Sequence, residues 1–238
     1  MKPSFSRRAI RAIAIGGALA FASSLIFGAW TYATTFGADA PTDSMPRALA
    51  IDVGLLAAFA LHHSILARAG LKHRVRIRVG TDIERSLYVW IASILFFLMT
   101  LCWKPVPGVF WRADATVAWL LAALQITGAG LMVVAVRLSG FRDLTGLRAL
   151  DDPRGRHTPA VASRGPYGVI RHPLYLAFLL LLWPVRVMTG SRLLFAGLLT
   201  IYVLVAIPLE ERDLRGAFGK AYDQYAQRVR FRLLPWVY

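Results

Sequence analysis

Apolar residues in this chain gather into long runs, separated by short polar clusters, rather than into the narrow stripes of a soluble amphipathic helix. A helix that crosses a bilayer needs about 20 mostly apolar residues. Runs 10–36, 48–67, 83–103 and 116–138 meet that length, and two more, 174–185 and 192–208, follow a polar stretch. The first of these two is short, nearer a re-entrant or tilted segment than a full span. Met188 to Ser191 (Met-Thr-Gly-Ser) between them reads as a tight turn, which makes the pair a helical hairpin. The pattern predicts an all-α integral membrane protein with about five to six membrane helical segments. All 238 residues form one membrane domain in this reading. Its first four spans reach residue 138, and 139–238 holds a loop, the hairpin and a tail.

Composition agrees with a membrane protein and adds an orientation. Hydrophobic residues make up 57% of the chain and its mean hydropathy is +0.52, too apolar for an ordinary soluble domain. The 28 Lys and Arg residues outnumber 13 Asp and Glu. Nucleic-acid binding would need a basic face with exposed aromatic residues, whereas these charges fall between apolar runs, so no nucleic-acid partner is expected. Of the basic residues, only Arg47, Lys104, Arg112, Arg186 and Arg192 fall on one side of a six-segment topology. The positive-inside rule therefore places both ends in the cytoplasm, in a cell inner membrane. Ala38-Asp39-Ala40 resembles a signal cleavage site, but the preceding run is too long for a typical signal core, so a retained helix is expected. The single cysteine, Cys102, excludes an intrachain disulfide and reads as a small buried hydrophobe.

Four polar clusters interrupt the apolar runs, each near a predicted cytoplasmic helix end. They are His62-His63-Ser64 with Arg68, Glu84-Arg85 with Tyr88, the stretch from Arg164 to Tyr175, and Glu210-Glu211 with Asp213. Ionisable groups at that depth are costly and face a bundle interior or a wet cavity. Interfacial anchoring is the competing role, and it suits Arg68, Arg85 and Arg212 best. His172 and Glu210 are poor anchors by type, so function is favoured for them. Gly165-Pro166 and Gly168 break any helix, and Pro173 pushes His172 out of the α region. Pro173 can then open the next helix, where its missing N–H is harmless. The free N–H groups of that helix, with Arg171 and His172 beside them, would suit a carboxylate. Carboxylates at Glu210 and Glu211 on the other arm would complete a pocket for a zwitterion.

Gly165-Pro-Tyr-x3-Arg-His-Pro-x-Tyr175, then Glu210-Glu211-x2-Leu214-x4-Gly219-x2-Tyr222-x2-Tyr225-x3-Val229 and Pro235, resembles the isoprenylcysteine carboxyl methyltransferase superfamily. Its members are integral-membrane, S-adenosylmethionine-dependent enzymes whose cofactor site lies in this C-terminal region. Upstream, His63-Ser64-x2-Ala67-Arg68, Glu84-Arg85-Ser86-x-Tyr88, Trp103-x-Pro105 with Trp111, and Gly140-Phe-Arg-Asp-Leu-Thr-Gly-Leu-Arg148 resemble the methanethiol S-methyltransferase branch, close to the NnrU-like proteins. The resemblance spans roughly residues 50–238. It implies that Tyr167, His172, Pro173, Leu174, Tyr175 and Glu210 contact the cofactor, with the last two segments forming the site as a hairpin, and Arg171 is added to that set by its place beside His172. The stretch 159–162 sits where relatives place another cofactor-contacting loop. Prenylcysteine enzymes carry, one turn before the glutamate, an arginine that serves the acceptor's carboxylate; Ala206 stands there here. That favours a small thiol acceptor, with membrane lipid as the other partner.

The reaction this implies is in-line methyl transfer to a thiolate, helped by a base because a free thiol of pKa about 8.5 is mostly protonated at neutral pH. Glu211, His62 and His63 are the base candidates. His63, Arg68, Glu84 and Tyr88 are the acceptor-site candidates, Glu84 and Tyr88 sharing a helix face at i,i+4. The other readings are a lipid or prenylcysteine acceptor, an NADPH-dependent sterol-type reductase, which shares Arg-His-Pro-x-Tyr, and an NnrU-like accessory protein of nitrogen-oxide metabolism. No two of the five histidines have a helical i,i+4 spacing, so no metal is expected.

Overall fold

In the computed structural model, residues 6–67, 69–145, 147–150 and 161–238 are described. Arg68, an acceptor-site candidate, lies outside the described residues, as do 159 and 160 of the expected cofactor loop. The helices are α1 (Arg7–Ala33), α2 (Met45–Ala67), α3 (Ala69–Val79), α4 (Thr81–Cys102), α5 (Ala115–Ser139), a single turn α6 (Phe141–Leu144), α7 (Pro173–Leu182), α8 (Gly190–Phe218) and α9 (Lys220–Arg228). Two short strands, β1 (Val109–Arg112) and β2 (Val187–Thr189), pair antiparallel. Five of these helices, α1, α2, α4, α5 and α8, are long and apolar enough to cross a membrane, and the protein is a multi-pass membrane protein. The chain divides into two compact units, the first built on α1 to α4 and the second on α5, α7, α8 and α9.

In the first unit α4 is the central partner of α1, α2 and α3. The indole of Trp90 on α4 donates to the Ile13 carbonyl on α1 at 3.0 Å, and the Phe27 and Phe97 rings meet at 4.6 Å. At the far end, the buried Asp52 of α2 accepts from the Lys104 backbone N–H at 2.8 Å, closing the exit of α4. Satisfying that N–H matters because no water competes for it within a bilayer.

The second unit departs from the expected hairpin. No tight turn lies at Met188–Ser191: residues 187–189 form β2, and α8 starts directly at Gly190. The arm before it is helical only over Pro173–Leu182, about 15 Å of rise. Beyond it the chain bends at Trp183 and Arg186 before entering β2, and α7 packs against the ~37 Å α5. One end lies beside Ala135 of α5, whose carbonyl is 3.5 Å from the Tyr167 hydroxyl. Midway, Gln125 donates to the Leu181 carbonyl at 3.0 Å; at the other end β2 pairs with β1, just before α5.

Non-helical backbone survives at such a depth only where protein satisfies it. Here the Val185 carbonyl accepts from the Trp111 indole at 3.0 Å, the Arg186 carbonyl from Ala113 N at 2.8 Å, and the Val187 carbonyl from Arg192 Nη1 at 2.7 Å. The stretch 173–189 is thus helix in its first part and irregular chain ending in a three-residue strand in its second. Helix α8 also runs further than the apolar run suggests. It passes through Pro208 and continues to Phe218, 29 residues or about 43 Å, so its last turns extend past a hydrocarbon core about 30 Å thick.

Gly128 allows α5 and α7 to approach closely, because a Cβ there would stand 2.8 Å from the Leu180 side chain and 3.2 Å from the Ala177 carbonyl. Gly128→Leu is expected to destabilise the second unit by at least about 1–3 kcal/mol through overpacking. Thermal unfolding in detergent checks this; Gly130→Leu, where a Cβ meets nothing within 4 Å, should leave the midpoint nearly unchanged.

Candidate functional site

The polar stretch before α7 folds as a chain of short, individually satisfied turns. Gly165–Gly168 is one turn of 3₁₀ helix, opened by Gly165 at φ +57°. Tyr167 in that turn is buried, and its carbonyl accepts from the Tyr225 hydroxyl of α9 at 2.8 Å. Ile170 then bridges to Phe231, and the backbone N–H groups of Arg171 and His172 donate to the carbonyls of Phe231 and Arg232, both at 2.9 Å. His172 has φ −123° and ψ 58°, outside the α region, and Pro173 opens α7, as the His-Pro pair predicts.

This places the His172 ring, 6% exposed, between two carboxylates of α8. Nδ1 is 3.5 Å from Glu210 Oε2 and Nε2 is 3.4 Å from Glu211 Oε1. Tyr175 stacks on the ring with centroids 5.6 Å apart. Burial alone would push the imidazole pKa down, but the Glu210 and Glu211 carboxylates outweigh it and hold His172 above its ordinary value.

Glu211 is the centre of a larger network. It is fully buried, with Arg171 Nε 2.6 Å from Oε1, and Arg215 Nη2 and Arg232 Nε 3.5 and 3.4 Å from Oε2. Arg171 Nη1 donates to the carbonyls of Val229 and Arg230 at 2.8 and 3.0 Å. Arg171 is therefore turned into the protein, which differs from the expected open carboxylate site beside α7. The N–H groups of Tyr175 and Leu176 are likewise taken, by the His172 carbonyl at 3.1 and 3.2 Å. Glu210, one position earlier, is 46% exposed and presents its carboxylate to the open side. Pro173 is buried, and Leu174 and Tyr175 are half-buried beside it. The fold brings His172 and Glu210 within 3.5 Å of each other, and it adds Arg215, Tyr222, Tyr225 and Arg232, to which the sequence reading gives no site role. Tyr222 and Tyr225 pack with Val229, and burial pushes the Tyr225 hydroxyl up to about 12.

The remaining candidates form a cluster of their own in the first unit. The Tyr88 hydroxyl lies 2.9 Å from His63 Nδ1, and the His62 ring stacks on Tyr88 at 5.4 Å. The two neighbouring histidines, although splayed around α2, thus both reach one tyrosine of α4. Arg85 lies over the Tyr88 ring at 5.0 Å, and the buried Glu84, one turn away, is 3.4 Å from Arg76. Among the described residues, the buried His62 Nε2 makes no hydrogen bond.

Residues 119–221 match the phospholipid methyltransferase family model. Methanethiol S-methyltransferase 1 of Bradyrhizobium diazoefficiens is 38% identical over 203 residues, covering 83% of this chain and 71% of that protein. The chain belongs to the methanethiol S-methyltransferase family. Methanethiol S-methyltransferase 2 of the same organism is 34% identical over 94% of this chain and 90% of its own length, and the Pseudomonas deceptionensis enzyme is 37% identical over 82% and 76%. No solved structure was found to match. The matched stretch holds α5, α7, α8 and the His172–Glu210–Glu211 cluster, so the family region and the polar network coincide. The protein is a membrane methyltransferase.

Two measurements test the network. Glu211→Gln leaves a buried guanidinium short of its counter-charge and should cost about 3–5 kcal/mol, read as a lower unfolding midpoint, whereas Glu210→Gln should cost less than about 1 kcal/mol. The His172 contribution should depend on pH. Because its folded pKa is raised, the stabilisation is fully present below the unfolded value near 6.5 and is lost as pH rises through the folded value. The midpoint difference between wild type and His172→Gln should shrink from pH 6 to pH 9; a constant difference would mean that the imidazole stays neutral.

Proposed function

We propose that this protein transfers a methyl group from S-adenosylmethionine to a small thiol such as methanethiol, giving a methyl sulfide and S-adenosylhomocysteine. The observation that carries the reading is the seat of His172 between Glu210 and Glu211 within the family-matched region. The residues present suit the ammonium and apolar parts of this molecule. The half-exposed Glu210 carboxylate would meet its ammonium group, while Tyr167, Pro173, Leu174 and Tyr175 would offer apolar and aromatic surface to the rest. When bound, S-adenosylmethionine supplies an electrophilic sulfonium methyl. A thiolate would take that methyl as its carbon–sulfur bond breaks, and His62 or His63 would take up the thiol proton.

The chain's own contribution is orientation and exclusion of water. His172, whose pKa its two carboxylate neighbours raise, is better suited to donate a hydrogen bond than to act as a base. Glu211 and Arg171 hold the site in shape, since both are committed to each other. That leaves His62 and His63 as base candidates, with His62 Nε2 the one whose hydrogen-bonding capacity is unused among the described residues. His63, Glu84 and Tyr88, with Arg68, are assigned to acceptor binding. Ala206 is buried and brings no guanidinium, which supports an acceptor without an obligatory carboxylate. The names of the relatives point the same way, to methanethiol. The distribution of Lys and Arg supports an inner-membrane location with both ends cytoplasmic.

Thermal-shift titration should show stabilisation by S-adenosylmethionine and S-adenosylhomocysteine but not by NADPH. His172→Ala and Glu210→Ala should each weaken S-adenosylmethionine binding by roughly 1–3 kcal/mol in calorimetry on folded protein. Cells expressing the protein and fed methanethiol should release dimethyl sulfide into the headspace. No sulfide above the His172→Ala control, with turnover of a prenylcysteine instead, would assign the acceptor to a lipid.

A further inference from the structure

The segment 229–238 is bound on one side to the candidate cofactor site and carries large apolar side chains on the other. Its carbonyls accept the backbone N–H groups of Arg171 and His172, and Arg232 lies 3.4 Å from Glu211. Residues 232–238 close a small loop, in which the N–H groups of Arg232, Leu233 and Leu234 all donate to the Tyr238 carbonyl at 2.9–3.3 Å. Leu233, 3% exposed, packs against Val203 and Ile207 of α8 and Leu176 and Leu179 of α7. Val203 lies two turns, about 12 Å, to the apolar side of Glu211 along a membrane-crossing helix. The loop therefore sits at the depth of the apolar part of α8, not beyond its polar end.

At that depth Trp236 is 89% exposed, Val237 77% and Leu234 41%. Trp236 adopts φ +63°, a backbone conformation that L side chains seldom take, with its ring 5.6 Å from Phe231. Exposed Arg228 and Arg230 flank the loop. Tryptophan belongs at the boundary of headgroups and acyl chains, and the arginines suit anionic headgroups. We propose that the 234–237 loop is seated in the bilayer interface through Trp236 and Val237, and that this lipid contact positions His172 and Arg171 through the backbone bonds of the segment. Trp236 acts here as a positioning residue; only the second half of the proposal rests on the cofactor assignment above.

The test uses the full chain in nanodiscs containing anionic lipid. The fluorescence difference between wild type and Trp236→Phe isolates this indole. Acyl chains brominated near the headgroup should quench it and aqueous iodide should not. Quenching by iodide alone, as for a solvated loop, or by neither, as for an indole covered by a second protein copy, would overturn the lipid seat. For positioning, Trp236→Ser/Val237→Ser should raise the S-adenosylhomocysteine Kd about tenfold in nanodiscs, with Trp236→Phe retaining most of the affinity. Unchanged affinity in the folded double variant overturns the positioning role. A wild type that binds no S-adenosylhomocysteine overturns that role along with the cofactor assignment, while the quenching result still decides the lipid seat.

Discussion

A fully buried carboxylate near the end of a membrane-crossing helix must be neutralised, and the second unit is organised around meeting that demand for Glu211. Its four charged or polar partners come from three places in the sequence: Arg171 and His172 before α7, Arg215 one turn further along α8, and Arg232 after α9. Arg171 and Arg232 reach Glu211 only if the chain before α7 and the chain after α9 lie side by side. The bridge between Ile170 and Phe231 is that juxtaposition in backbone terms. The ion pair and the bridge are therefore one feature described twice, once as charge and once as main-chain hydrogen bonding.

The same economy explains the half-helical arm before α8. Helix α7 stops at Leu182 although the sequence runs on apolar to Val185, since Pro184 supplies no N–H to continue the helical ladder. From there the backbone must find partners from elsewhere, and it finds them in Trp111, Ala113 and Arg192. Arg192 is one of the few basic residues outside the expected cytoplasmic loops, and its guanidinium serves the Val187 carbonyl. A charge that the topology treats as an exception is in the structure part of the solution for non-helical chain in an apolar setting.

The spans were legible because length and hydropathy are local properties: the four long apolar runs became α1, α2, α4 and α5 within a few residues at each end. The His-Pro junction was legible because proline restricts its own neighbour. What lay beyond reach were features set by distant chain. Residues 187–189 read as a turn by composition, but pairing with β1 makes them a strand. Pro208 reads as a helix end, but α8 continues to carry Glu211 and Arg215 to their partners. Arg171 reads as a ligand for an incoming carboxylate because its true partner is 40 positions away. Arg232 gave no local sign at all, lying among several arginines of a basic tail.

Glu210 and Glu211 show how adjacent identical side chains are separated by geometry alone. Neighbours on a helix point about 100° apart, so a helix that covers one with protein leaves the other at the edge. Glu211 faces Arg171 and is fully covered, while Glu210 is about half exposed and reaches the His172 ring. A fully buried carboxylate already ringed by three guanidinium groups has little left for an incoming cation, which would have to displace one of them. A half-exposed carboxylate exchanges water for a cation at far smaller cost. His172 touches both, so the buried ion pair and the half-exposed carboxylate are coupled through its ring: what fixes Glu211 also fixes the ring that Glu210 meets.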